Sequence, residues 1–214
     1  MRAVSCAVMF AVLTVSAATA GNSEELSVVA PGTSVEGSSQ ADWSKLWWQW
    51  AASFGRGDNP VADGTGEMCH LKQSGKVWFL AGTYSQEKTV RTCRVPKNQF
   101  LFFPLINTVV VPNGETELTC DQARKTAQDN TANPAALRLE IDGRKVKDLK
   151  KHRQATVECF DAGTNRRPAQ KIFPAAANGY YVMLKPLAPG KHTINFGGQF
   201  ANATQDIEYT LIVE

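Results

Sequence analysis

Gly75-Lys76-Val77-Trp78-Phe79-Leu80-Ala81-Gly82, Thr89-Val90-Arg91-Thr92-Cys93-Arg94-Val95-Pro96 and Gln99-Phe100-Leu101-Phe102-Phe103-Pro104-Leu105-Ile106-Asn107 follow one another in the middle of the chain. The first and third are short continuous apolar runs, the pattern of strands buried on both faces. The second alternates, as a half-buried strand does. Gly82 and Pro96-Lys97-Asn98 punctuate the three, and Pro104 predicts an edge, a bulge or the strand's end.

Downstream the pattern continues. Ala136–Ile141 alternates into an Asp142-Gly143 turn and Lys145-Val146. Ala155–Phe160, Gly179–Leu184, His192–Phe196 and Glu208–Val213 read as further strands, with a tight turn at Leu187-Ala188-Pro189-Gly190. About nine short strands with regular turn signals predict a mainly β fold. The expected architecture is an antiparallel β-sandwich, jelly-roll or Ig-like, in a single domain over residues 40–214.

Two helices interrupt the strands. Ser39 is a good N-cap, and Trp43, Leu46, Trp47, Trp50 and Phe54 recur at spacings of three and four, so one apolar face runs to about Phe54 before Gly55 and Gly57 stop it. Four of the five tryptophans lie in this helix. Trp48 stands off the stripe and is expected to be partly exposed. The second helix, about Cys120–Asp129, opens with Thr119 and Gln122 at capping-box spacing.

The N-terminus reads as a leader. Arg2 supplies the positive charge, Ala3–Ala17 the apolar core and Ala18-Thr19-Ala20 a cleavage site, so residues 1–20 form a signal peptide. Residues 21–39 read as an extended, mobile lead-in. The mature chain is expected in the periplasm or outside the cell, without a transmembrane segment. Cys6 goes with the leader, leaving Cys69, Cys93, Cys120 and Cys159, an even set in an exported chain. Three pairings are possible. Cys69 and Cys93 flank one predicted hairpin, so Cys69–Cys93 with Cys120–Cys159 is preferred. No Cys-x-x-Cys or His-x-x-x-His spacing occurs, and no metal or other cofactor is expected.

A net charge of +3 among 23 basic and 20 acidic residues excludes a nucleic-acid footprint. The basic cluster Arg144–Arg153 is interrupted by Asp148 and reads as a solvated face. Arg56-Gly57-Asp58 is a chance-level match to an adhesion tripeptide. Asp58, Asn59, Asp63 and Glu67 fail the EF-hand spacing.

With these residues placed, the chain resembles a family of short exported bacterial proteins of unassigned function. The runs that carry the resemblance are Trp43-x-x-x-Trp47-Trp48-x-Trp50, Asp63-x-Thr65-Gly66-x-x-Cys69, Val77-Trp78-Phe79-Leu80-Ala81-Gly82, Cys93-x-Val95-Pro96, Leu101-Phe102-Phe103-Pro104-x-x-Asn107 and Leu187–Ile194. The resemblance spans most of the mature chain and implies no reaction and no catalytic residue.

Activity is therefore weighed from the residues. No Gly-x-Ser-x-Gly occurs, and Cys69 beside His70 cannot face it along a strand. Asp63, Glu67, Glu115, Glu117, Asp121, Glu158 and Asp161 are scattered, and His192 reads as structural. A secreted hydrolase using loop carboxylates and a structural envelope protein remain alternatives. An exported ligand-binding or adhesion module fits best, its partner a small molecule or a glycan, its oligomeric state open. Aromatic platforms stack on sugars while polar groups fix hydroxyls. Trp47, Trp48, Asp63, Thr65, Arg91 and Asn107 are the candidate ligand-binding residues.

Overall fold

β3 (Phe100–Val110) and β7 (Ala176–Leu184) lie side by side at the centre of a four-stranded sheet, order β1-β3-β7-β6. The computed structural model describes residues 28–55, 57–114, 117–166, 171–200 and 203–214. The expected leader with Cys6, the lead-in up to residue 27, Arg56 and Glu115 lie outside them. The second sheet has five strands, order β2-β9-β8-β4-β5, with β2 Thr89–Val95, β4 Ala135–Ile141, β5 Arg144–Lys145, β8 Gly190–Phe200 and β9 Ala203–Val213. The short strands β1 (Val77–Phe79) and β6 (Arg153–Ala155) edge the first sheet.

The two sheets form the expected sandwich, and the period of two explains its layers. Leu101, Phe103 and Leu105 of β3 and Val182 and Leu184 of β7 meet Phe196, Ile207, Tyr209 and Leu211 of the second sheet in one core. Phe102, Tyr181 and Met183 point to the opposite face, where α1 (Gln40–Ala52) covers them with Trp47 and Trp50. The first sheet is thus buried on both sides, which is why Phe100–Ile106 reads as a continuous apolar run.

Each sheet contains one parallel pair: β1 with β3, and β2 with β9. The chain leaves the first sheet after β1, builds β2 in the second and returns as β3, so β1 and β2 are not a hairpin. Cys69–Cys93 does form, and it ties the loop before β1 to β2 of the opposite sheet. Cys120–Cys159 joins α2 (Cys120–Asn130) to the segment after β6. Pro104 marks a bulge, with the register shifting before Ile106. The Gln205 amide reaches across from β9 and donates to Pro104 O at 2.7 Å and Leu105 O at 2.9 Å, pairing the carbonyls that the bulge frees.

Three expectations change. The lead-in is packed from Val28 onward: Val29 N–H donates to Met183 O, and Val29 and Val35 are buried under α1. The strand expected over Ala155–Phe160 stops at Ala155, Phe160 keeping only a bridge to Ala175. β8 continues through Gly197 and Gly198, and at 197 glycine is needed, since a side chain there would strike Arg138 and the β9 backbone. Ser39 caps α1, and Thr119 with Gln122 forms the capping box of α2.

Candidate functional site

α1 divides two concavities. At 100° per residue, Trp43, Leu46 and Trp50 fall on one flank and Trp48 about 140° round from Trp43. The Trp43 flank opens onto a groove of about 770 Å³, the other onto a pocket of about 220 Å³.

Three pieces of chain build the groove. α1 contributes Trp43, Leu46 and Trp50; the loop before β1, with Phe79, contributes Lys72; the 164–166 segment contributes Asn165 and Arg166. The loop is pinned by Gln73, whose amide accepts from Phe79 N–H and donates to Cys69 O and Phe79 O, all at 2.9 Å. Cys69–Cys93 anchors its start. The third wall hangs from Asp161. Backbone N–H groups of Ile172 and Gly163 donate to its carboxylate at 2.8 Å and hold it below the usual carboxylate range. Gln49 on α1 donates to Asp161 O at 3.0 Å, and Cys159 staples the same segment to α2.

Inside the groove the aromatic rings are fixed by their polar ends. Trp43 Nε1 donates to Val35 O at 3.0 Å and Trp50 Nε1 to Leu71 O at 3.1 Å. Phe79 packs against both, with centroids 6.1 and 5.5 Å away. Trp43 and Phe79 stay half-buried, so ring surface faces the groove. The Lys72 ammonium sits 4.5 Å above the Phe54 ring and donates to Ser53 O at 2.6 Å.

The smaller pocket gathers three of the six sequence-derived candidates: Trp47, Trp48 and Asn107, beside Tyr84 and Gln205. Trp48 and Asn107 are already paired there. Trp48 Nε1 donates to the Tyr181 hydroxyl at 2.9 Å, and Asn107 Nδ2 to the same oxygen at 3.1 Å. Complete burial pushes the Tyr181 phenol above its ordinary range. Trp47 is 2% exposed and donates to Leu80 O at 3.0 Å. Asn107 sits over Gly179, where a Cβ would come within 2.6 Å of the Asn107 backbone, so the two strands approach closely there.

Arg91, Asp63 and Thr65 lie outside that pocket. Arg91 is 1% exposed, and its guanidinium donates to the carbonyls of Val61, Asp63, Ala81 and Gly82 and to the Tyr209 hydroxyl. It fastens two loops to the end of the second sheet. Asp63 caps its own loop, accepting from the N–H groups of Thr65, Gly66 and Met68 and from the Thr65 hydroxyl. Burial works against its ionisation, yet these donors outweigh it and hold the carboxyl below its usual range. Gly66, at φ +91°, lies against the Thr92 backbone, where no side chain fits.

Lys72, Phe79, Asn165 and Arg166 carry no signal that sequence reasoning could use, because their grouping depends on chain segments that only the fold joins. His192 is structural, its ring nitrogens 2.8 Å from Asp142 Oδ2 and 2.8 Å from Ala188 O. Among the described residues, no three His, Cys, Asp or Glu side chains gather as a metal site, and no helix is long and apolar enough to cross a membrane. No protein-family model, curated protein or solved structure matches the chain.

Proposed function

We propose that this chain is an exported binding module for saccharides and that its site is the groove beside Trp43. One observation carries the reading: ring surface of Trp43 and Phe79 faces a groove of about 770 Å³ whose rim is polar. Fixed aromatic faces stack on the apolar faces of sugar rings, and neighbouring side chains take the hydroxyls. The volume lies in the usual range for ligand sites, roughly 300–1,000 Å³, and the Trp48 pocket falls below it. Export is supported by the leader pattern and by two disulfides, which persist in oxidising compartments. Acid–base hydrolysis gains no support, since no Asp, Glu or His is among the described residues lining the groove.

A glycan panel titrated into the chain lacking residues 1–20 tests this. Binding is expected, with Trp43→Ala reducing affinity at least ten-fold and Trp48→Ala leaving it within about two-fold. Equal losses in both variants, or a loss in Trp48→Ala alone, overturn the assignment to this groove.

A further inference from the structure

We infer that the groove selects an acid-bearing saccharide over its neutral counterpart; this rests on the saccharide reading above. The groove is lined by two cations, Lys72 and Arg166, and by no carboxylate among its described lining residues. Neither cation takes part in an ion pair found among the described residues. Two acidic residues next to the lining segments in sequence are engaged. Asp42 pairs with Lys45, and Asp161 is turned onto the backbone N–H groups of Gly163 and Ile172.

The Lys72 ammonium and the Arg166 backbone are held in place. Ser53 O and the Phe54 ring hold the Lys72 ammonium without neutralising its charge. Arg166 is half-buried at the end of a turn closed by its own N–H to Gly163 O at 3.0 Å. A sugar ring seated on Trp43 and Phe79 would carry its acidic substituent among these donors. A guanidinium fork matches a carboxylate or phosphate in two parallel hydrogen bonds, and an ammonium adds a point charge. Neutral sugars would gain only the stacking and the hydroxyl contacts.

Calorimetric titration of the chain lacking residues 1–20 with matched pairs separates these contributions. Uronic-acid oligomers are compared with their methyl esters, which keep the ring and lose the charge, and sugar phosphates with the free sugars. At low salt, at least one acidic member is expected to bind ten-fold or more tighter than its neutral partner. The pair that shows it identifies the acid. The preference is expected to shrink in 0.5 M NaCl, where screening is strong. Arg166→Gln, checked for unchanged thermal unfolding, is expected to lose most of the preference while retaining the neutral ligand's affinity. Equal affinity within every pair, or a preference that survives in the Lys72→Gln/Arg166→Gln double variant, overturns the charge selection and leaves the saccharide reading standing. Absence of binding by both members of every pair removes both.

Discussion

The two sides of α1 carry the same residue type and use it differently. On the groove side, Trp43 and Trp50 give their indole N–H to backbone carbonyls, Val35 O and Leu71 O, and Trp43 keeps ring surface open. On the pocket side, Trp48 gives its N–H to a buried phenol that also takes Asn107. Trp43, anchored to backbone and half-buried, is a fixed platform with ring surface toward the groove. A tryptophan that completes a side-chain network is part of the core's polar wiring, and removing it leaves buried partners unmatched. Exposure alone does not separate the two, since Trp43 and Trp48 are both half-buried.

That contrast is broken most severely by reduction. Each bridge closes a loop, of sequence separation 24 for Cys69–Cys93 and 39 for Cys120–Cys159, worth about 3–4 kcal/mol in the chain-entropy account. Each also anchors one wall of the groove. Reductant is expected to lower thermal stability sharply and to abolish ligand binding at concentrations of denaturant where the native circular dichroism persists. Four reactive thiols in the denatured, unreduced chain lacking residues 1–20 would remove both bridges.

Next in size is Arg91→Leu. It withdraws a donor from four loop carbonyls, Ala81 O keeping the Tyr209 hydroxyl, in a site that excludes water, a cost of about 3–5 kcal/mol by denaturant unfolding. A loss under 1 kcal/mol would mean that the loops hold without the guanidinium. Tyr181→Phe is smaller, about 1–3 kcal/mol, because it strands two donors, Trp48 Nε1 and Asn107 Nδ2. Its effect on groove affinity is expected to be nil; a parallel loss of binding would show that the two sides of α1 are coupled.

The sequence revealed what depends on neighbours along the chain. Period two exposed the strands, spacings of three and four exposed α1, and Thr119 with Gln122 marked the start of α2. Both disulfides were legible too, although the hairpin reasoning behind Cys69–Cys93 does not describe the chain's path. What stayed hidden depends on distant segments. Arg91 in an alternating strand looks like a surface cation until the loops at Val61–Asp63 and Ala81–Gly82 fold over it. The sequence candidates Trp48 and Asn107 lie on the other flank of the tryptophan helix from the proposed groove: they are distinctive letters, whereas Lys72 and Arg166 are ordinary ones that acquire meaning by converging. The parallel pairs were invisible for the same reason, since strand direction is set by where the chain crosses between sheets.

The smallest effect is a pH dependence confined to the Asp63 loop. The Asp63 carboxyl titrates below its ordinary value because backbone N–H groups and the Thr65 hydroxyl favour the anion over the opposing pull of burial. A carboxyl whose folded pKa is depressed adds stability above its unfolded value, about 3.9, and loses it as pH falls through the folded one. Asp63→Asn removes the anion and keeps the size. The gap in melting temperature between wild type and Asp63→Asn is therefore expected to be widest near pH 7 and to close as pH drops below about 4. Groove affinity in the variant at pH 7 is expected to match wild type, because Asp63 holds the loops at the Arg91 end of the sandwich. A constant gap across pH would assign the role to Asp63's shape rather than its charge. A fall in affinity would tie that loop to the groove and shift the boundary between the two sides of α1.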